Sequence, residues 1–360
     1  MKLSTLSSRN IAIQIFIMTI GMLIFGLIMI YSASVTEAIH ISGDKFFFVK
    51  QQLRWAIVGM VSLLILSRIS LHTIQKLSPT LIITGLTLLI LVLIPGFGLK
   101  LHGARRWLAI PFFTLQPSEL MKLIQIIYLS SFLTSKRVEL VQFLVFIAFV
   151  SFLILLQPDM GTTLVIVTSA IAVYFLAGYP IKHILSLGVV GIALVSILVI
   201  ASPYRRSRLT TFLNPMHDPL GSSYHIRQIL LAFGSGGTSG VGFGKSRQKH
   251  DYLPEATTDS IFAVIGEELG FIGSSIVILA LLYFIYLGFE VSARATTNFS
   301  KVLSGGITAW FAIQVVLNLS SMVALTPLTG IPLPLISYGG SALITMLSGI
   351  GILINIARNN

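Results

Sequence analysis

The sequence has no cysteine and few charged residues. Without Cys, a disulfide framework, a thiolate metal site and a cysteine nucleophile are all excluded. Only 10% of the 360 residues are charged, 55% are hydrophobic, and the mean hydropathy is +0.92. A soluble domain has about 25% charged residues and could not bury this much apolar surface. The composition therefore predicts an integral membrane protein.

Acidic residues are scarce as well. The 12 Asp and Glu stand against 24 Lys and Arg, which gives a net charge of +12. In a soluble protein this excess of positive charge would indicate binding to nucleic acid, but the cations here are scattered among apolar segments. We therefore expect anionic membrane lipid, and no nucleic acid, among the partners.

Ten apolar stretches are long enough to cross a membrane as helices. They lie near residues 11–33, 52–70, 77–95, 118–134, 139–157, 161–179, 183–202, 259–289, 303–325 and 337–356. We predict one all-α membrane domain over residues 1–360, with about ten transmembrane helices. A large extracellular loop, about residues 203–258, connects the seventh and eighth helices, and its apolar content favours an ordered structure.

The distribution of Lys and Arg predicts that both termini are cytoplasmic. With the N-terminus inside, every short inner connection is basic, as the positive-inside rule expects. The inner cations are Lys2, Arg9, Arg68, Lys76, Lys136, Arg137, Lys182, Arg294, Lys301 and Arg358. Two short outer connections, 157–162 and 325–334, contain neither Lys nor Arg.

Four carboxylates lie at the start of the eighth span: Glu255, Asp259, Glu267 and Glu268. Ionisable residues beside a span are costly and indicate function by default. If Pro254 is the first helical residue, the first three acids share one broad helix face. The helix dipole favours their charged form, whereas repulsion and burial raise their pKa values. Such opposed influences make a carboxylate a general base near neutral pH.

A second polar segment, 116–122, begins the fourth span. Ser118 is a candidate N-cap, and Glu119 and Lys122 lie three residues apart on one face. The pair either neutralises itself inside the bundle or binds a pyrophosphate or sugar. In the next outer connection, Asp159 is a candidate cap of the following helix, so a structural role is favoured there.

Two further segments interrupt the apolar pattern. The glycines of 234–245 offer backbone N–H groups that could hold phosphate, although the pattern is neither a Walker loop nor a dinucleotide fingerprint. The segment 327–341, rich in Pro and Gly, must line a cavity or pack within protein if it lies at membrane depth. No local spacing suggests a Ser-His-Asp triad or a zinc-spaced His group.

Five of these segments, in order, resemble the shape, elongation, division and sporulation (SEDS) family, which contains FtsW, RodA and SpoVE. They are 103–107 (Gly-Ala-Arg-Arg-Trp), 116–122, 157–161, 253–270 and 333–341. The resemblance implies ten transmembrane helices and a peptidoglycan glycosyltransferase that polymerises lipid II outside the bacterial cytoplasmic membrane, releasing undecaprenyl pyrophosphate. The segments 103–107 and 266–270 favour the division type.

The resemblance also implies residue roles. The family's essential acid falls on Asp259, which would accept the proton of the acceptor 4-hydroxyl in an inverting displacement. Thr257 and Ser260 depart from the family pattern, which usually has His and an aromatic residue there. Substrate-binding candidates are Arg105, Arg106, Glu119, Lys122, Lys245, Glu255 and Ser337, and supporting candidates are Asp159, Glu267 and Glu268. We predict no metal-binding residues and no obligatory cofactor, and leave open a divalent cation that assists the pyrophosphate.

The implied partners are a class B penicillin-binding protein transpeptidase and other division or elongation proteins. Two alternatives are a lipid II flippase and a non-catalytic scaffold of the division or elongation complex. A flippase needs polar groups through the whole bilayer, whereas the acids here concentrate at the outer edge. That asymmetry favours the polymerase.

Overall fold

The computed structural model describes residues 8–359 except 102, 111–112, 136–137, 201–202, 215–217, 219–220, 222 and 251. Lys2, Lys136 and Arg137, which we expect on the cytoplasmic side, lie outside the described residues. Within them the chain forms twelve α-helices and one small β-sheet. The predicted helical class is confirmed, and the sheet was not predicted.

Ten helices correspond to the ten predicted apolar stretches. They are α1 (Ser8–Ser42), α2 (Phe47–Leu66), α3 (Leu71–Leu91), α4 (Pro117–Ser135), α5 (Leu140–Leu155), α6 (Met160–Leu176), α7 (Ile181–Ile200), α10 (Ile261–Arg294), α11 (Asn298–Met322) and α12 (Gly340–Asn359). Six of them, α1, α2, α3, α10, α11 and α12, are long and apolar enough to cross a membrane. The chain is therefore a multi-pass membrane protein, and the count of ten spans stays a prediction.

The connection between α3 and α4 forms a three-stranded antiparallel sheet. Its strands are β1 (Gly98–Leu101), β2 (Ala104–Ile110) and β3 (Phe113–Leu115), in that order. Gly103 makes the tight turn between β1 and β2 with a φ of +81°, a backbone conformation that glycine adopts freely. Strands β1 and β3 are too short for an alternating pattern to be recognised, and the seven residues of β2 do not alternate between apolar and polar.

Helices α11 and α12 form the buried centre of the bundle. Gly351 of α12 lies against α2 so closely that a Cβ atom there would be 2.6 Å from the Leu63 carbonyl oxygen. Small residues let membrane helices approach in this way. At the same end, the Asn355 side-chain amide donates to the Leu66 and Ile69 carbonyls at 2.7 and 2.6 Å, which fastens α12 to the α2–α3 connection.

The predicted large loop contains two helices, α8 (Pro203–Leu213) and α9 (Tyr224–Gly236). The end of α9 packs on α10, and the Phe271 N–H donates to the Gly237 carbonyl at 2.9 Å. At Gly270 the backbone of α10 leaves helical geometry, with a φ of +65°. The described part of the loop thus contains regular helices and is held on the first turns of α10.

Candidate active site at the start of helix α10

The segment that precedes α10 is a series of tight turns, so the prediction of a helix from Pro254 is wrong. Glu255 has a φ of +52°, which a continuing α-helix cannot accommodate. Its carbonyl accepts hydrogen bonds from the N–H groups of Thr258 and Ser260, both at 3.1 Å. Glu255 and Asp259 therefore lie in the turns before the helix, and the single helix face proposed for the acids does not exist.

Asp259 is fixed by the broken segment that precedes α12. The Asn318 side-chain amide donates to the Asp259 and Ile331 carbonyls, both at 2.8 Å. It therefore joins α11 to the turn that contains Asp259 and to the segment that precedes α12. The Tyr338 N–H donates to the Thr257 carbonyl at 2.9 Å. This confirms that the interrupted segment packs within protein, and it places that segment directly beside the candidate base.

The Asp259 side chain is buried, at 9% exposure, and few hydrogen-bond donors contact it among the described residues. Burial, and then the nearby Glu255 carboxylate, raise the pKa of Asp259 to about 6; its own N–H, the Thr258 hydroxyl and Arg208 oppose the shift. The Thr258 Oγ1 lies 3.2 Å from Asp259 Oδ1 and 2.7 Å from Glu255 Oε2, so one hydroxyl lies between two carboxylates. The site can accept a proton near neutral pH.

Besides Asn318, two site residues were missed by the sequence analysis. Arg208, in α8, donates to the Leu328 carbonyl at 2.6 Å and acts electrostatically on Asp259. His225, in α9, lies with Nε2 2.7 Å from Ser260 Oγ. Both are remote from Asp259 in sequence and carry no local spacing signal. Tertiary contacts bring them there: His225 through the packing of α9 on α10, and Arg208 through its hydrogen bond to the Leu328 carbonyl.

The predicted pair Glu119–Lys122 exists, with Lys122 Nζ 2.7 Å from Glu119 Oε1. The side chains are 6% and 1% exposed, and within the described part of the chain Glu119 Oε2 has no hydrogen-bond partner. A substrate phosphate would reach Lys122 only after the bundle rearranged. The capping prediction for Ser118 is wrong, because α4 already begins at Pro117 and, among the described residues, the buried Ser118 hydroxyl makes no hydrogen bond.

The predicted arginines lie on strand β2. The Arg106 guanidinium donates to the Gln157 and Pro158 carbonyls at 2.9 and 2.6 Å, so it binds the connection between α5 and α6. Arg105, its neighbour, is half-buried. In the same connection Asp159 accepts from the Thr162 N–H at 2.9 Å, which confirms its predicted role as the cap of α6.

The carboxylates of Glu267 and Glu268 hold the loop to the helix bundle. Glu268 accepts from the Ser32 hydroxyl at 2.7 Å and from Lys249 Nζ at 2.9 Å. Glu267 accepts from the Ser246 hydroxyl and from the Arg247 N–H at 3.0 Å. Their surroundings agree with the supporting role that the sequence predicts.

The glycine-rich segment is folded onto α10. The N–H groups of Gly240, Val241 and Gly242 donate to the carbonyls of Gly236, Glu267 and Glu268 at 2.8, 3.0 and 3.1 Å. These three groups are therefore occupied, and the predicted phosphate cradle is wrong for them.

Lys245 follows directly and is exposed. Ser337, in contrast, is buried, and its hydroxyl accepts from the Leu333 N–H at 2.8 Å. Of these two substrate-binding candidates, Lys245 alone is open to solvent in this conformation. Among the described residues, no group of three or more His, Asp or Glu side chains is arranged to hold a metal ion.

Comparison with known proteins agrees with this architecture. The profile of the cell cycle protein family FtsW/RodA/SpoVE matches residues 13–360. The stage V sporulation protein E of Bacillus subtilis is 41% identical over 95% of each chain. A probable peptidoglycan glycosyltransferase FtsW of Trichlorobacter lovleyi is 40% identical over 95% of this chain and 91% of its own.

Solved structures give the same result. A chain in a structure described as "Structural coordination of polymerization and crosslinking by a peptidoglycan synthase complex" superposes with a TM-score of 0.80 and 26% identity, covering 96% of this chain and 97% of that one. The rod shape determining protein RodA of Thermus thermophilus gives a TM-score of 0.69 and 27% identity over 96% of each chain. This chain belongs to the FtsW/RodA/SpoVE family, as the resemblance predicted.

Proposed function

We infer that this protein is a peptidoglycan glycosyltransferase that polymerises lipid II into glycan strands and releases undecaprenyl pyrophosphate, in cell division or elongation. The observation that carries the inference is Asp259, a buried carboxylate with a pKa of about 6. Relatives of similar length carry the name of probable peptidoglycan glycosyltransferase. A flippase or a scaffold would need no such base.

The proposed reaction is a single displacement. The 4-hydroxyl oxygen of the acceptor sugar attacks the anomeric carbon of the donor, the bond from that carbon to the pyrophosphate breaks, and Asp259 takes the hydroxyl proton. The configuration is inverted, and no covalent glycosyl-enzyme forms. With a pKa of about 6, Asp259 is mostly ionised at pH 7 yet far more basic than an exposed aspartate.

The leaving pyrophosphate needs stabilisation of its charge more than a proton, and cationic donors supply it. We propose Arg208 as such a group, because its charge acts on the surroundings of both Asp259 and His225. Arg105 and Lys245 stay candidates. Arg106 and Lys122 rank lower, because their charged groups are bound by protein and neither is among the charges that act on Asp259.

Among the other substrate-binding candidates, Glu255 has the best access to a ligand. It is exposed beside Asp259, whereas Glu119 and Ser337 are buried and would contact substrate only after a rearrangement. We propose that the reaction needs no obligatory cofactor. Polymerisation measured with and without a chelator tests the assistance of a divalent cation.

We propose that the protein acts as one domain in the bacterial cytoplasmic membrane, with both termini cytoplasmic and the Asp259 site facing outward. The basic residues near the inner ends of the helices support this orientation. The similarity to a chain from a complex that coordinates polymerisation and crosslinking supports a class B penicillin-binding protein as partner. Other division or elongation proteins and membrane lipid complete the expected contacts.

The test is polymerisation of labelled lipid II by the purified protein, alone and with its transpeptidase partner. Asp259→Asn should lower the rate about 10²- to 10⁴-fold, the usual contribution of a general base. Asp44→Asn is the matched control, because Asp44 is an exposed carboxylate paired with Lys50. Equal rates for wild type and Asp259→Asn would exclude Asp259 as the base. An inactive wild type with its partner would favour the flippase or the scaffold.

A further inference from the structure

The side chain of Ser260 makes an unusual contact for an N-cap residue. It is the N-cap residue of α10, where a serine side chain normally accepts a hydrogen bond from the first helical turn. Among the described residues no such capping bond forms; the Ser260 Oγ lies instead 2.7 Å from Nε2 of His225. The hydroxyl is fully buried, so this contact satisfies a group that would otherwise be costly.

His225 is suited to hold this contact as a neutral ring. The charged groups that act on it are Glu255 and Arg208, in the turn before α10 and in α8. Burial is the largest influence and lowers the pKa of His225 to about 4. At neutral pH the imidazole adds no charge beside Asp259. Its effect on the site is then exerted through a hydrogen bond.

The contact fixes the residue that directly follows Asp259. The Ser260 N–H is already bound to the Glu255 carbonyl at 3.1 Å, and the Asp259 carbonyl accepts from Asn318 at 2.8 Å. His225 adds a third restraint, from α9. Three separate elements thus limit the backbone torsions that aim the Asp259 carboxylate, and small errors in such aim reduce catalysis strongly.

We propose that His225 is a positioning residue of the polymerase, which orients Asp259 through its hydrogen bond to Ser260. The inference rests on the proposed function of Asp259. It gives a role to His225 and to its partner Ser260, neither of which the sequence predicted as a site residue. The loop helix α9 thereby contributes directly to the geometry of the base.

The experiment compares lipid II polymerisation by the full-length chain with its partner in four test variants and one control variant. His225→Leu and Ser260→Ala should each lower kcat about tenfold without changing KM, and the double variant should be no slower than either. His225→Gln, whose side-chain amide can either donate to or accept from the Ser260 hydroxyl, should stay within about threefold of wild type. His250→Leu is the control, since His250 is a loop histidine bound to the Thr36 hydroxyl at 2.9 Å.

Two readouts separate positioning from other roles. The acidic limb of the pH–rate profile should stay in place in His225→Leu, because a neutral ring is removed; a displaced limb would indicate an electrostatic role and overturn the proposal. Thermal unfolding of the same variants should show that the losses at His225 and Ser260 are not additive. Additive losses, an effect on KM alone, or a His225→Gln as slow as His225→Leu would also overturn it.

The same measurements distinguish failure of the proposed polymerase function from failure of the positioning role of His225. If wild type makes no glycan while unfolding still shows coupling between His225 and Ser260, the hydrogen bond exists but the polymerase role is wrong, and the positioning role is overturned with it. If wild type is active and His225→Leu is equally active, the polymerase stands and the positioning role alone is wrong.

Discussion

Glu268 and Asp259 are both buried carboxylates near the start of α10, and their surroundings are opposite. Glu268 accepts from Ser32 and forms an ion pair with Lys249 at 2.9 Å. Among the described residues, Asp259 accepts from its own N–H and from a hydroxyl shared with Glu255, and Arg208 acts on it electrostatically. Burial by itself therefore does not identify a reactive acid. The donors separate the two carboxylates, because Glu268 accepts from a cation whereas Asp259 accepts from a neutral N–H and a neutral hydroxyl.

The largest expected effect on the free energy of unfolding is at Glu268, the carboxylate that accepts from a cation. Glu268→Gln leaves the Lys249 ammonium, which is 6% exposed, without its counter-charge. Removing one partner of a buried ion pair costs about 3–5 kcal/mol. We expect the free energy of unfolding, measured in detergent by denaturant titration, to fall by that amount. Asp44→Asn, at an exposed pair, should change it little. Similar values for both variants would contradict the structural role of Glu268.

The same carboxylate-to-amide change at Asp259 should raise the free energy of unfolding instead of lowering it. Folding raises the pKa of Asp259 from 3.8 to about 6, so the ionised carboxylate opposes folding above pH 6, and this cost disappears as the pH falls to 4. About two pKa units correspond to about 3 kcal/mol. Asp259→Asn should therefore be more stable than wild type at pH 7.5 by up to that amount, and equal to it near pH 4. Lower stability of the variant at pH 7.5 would show that Asp259 is structural.

Asp159 offers a third environment for a carboxylate, at the start of α6. Its oxygens accept from the N–H and the hydroxyl of Thr162, both at 2.9 Å. Loss of such a cap costs about 1 kcal/mol. Asp159→Ala should lower the free energy of unfolding by about this amount and leave the acidic limb of the pH–rate profile in place. A displaced limb would mean that Asp159 acts on the base.

The smallest expected effect is that of Glu255 on the pKa of Asp259. The Glu255 carboxylate contributes to the raised pKa of Asp259, but less than burial does. Glu255→Gln should move the acidic limb of the kcat/KM profile to lower pH by only part of the total displacement. An unchanged limb would show that burial alone sets the pKa, and a move to higher pH would contradict the like-charge repulsion inferred for this pair.

Several site features could be predicted from the sequence because they depend on near neighbours. The ion pair Glu119–Lys122 spans one helical turn, and the cap at Asp159 acts on the next turn. The start of α10 could not be predicted, since Pro254 is a common first residue of a helix. Glu255 instead has a positive φ, in a turn that is closed by the N–H groups of Thr258 and Ser260 and that Tyr338 contacts through the Thr257 carbonyl.

The sequence by itself determined that this is a helical membrane protein, because apolar length and scarce charge act locally on each segment. It also determined the family and the candidate base, because those rest on contiguous motifs. Tertiary structure decided which of the carboxylates is left with few donors, and it alone brought Arg208, His225 and Asn318 to Asp259. The reason is physical: a pKa depends on burial and on groups in space, and neither is encoded in the spacing of residues along the chain.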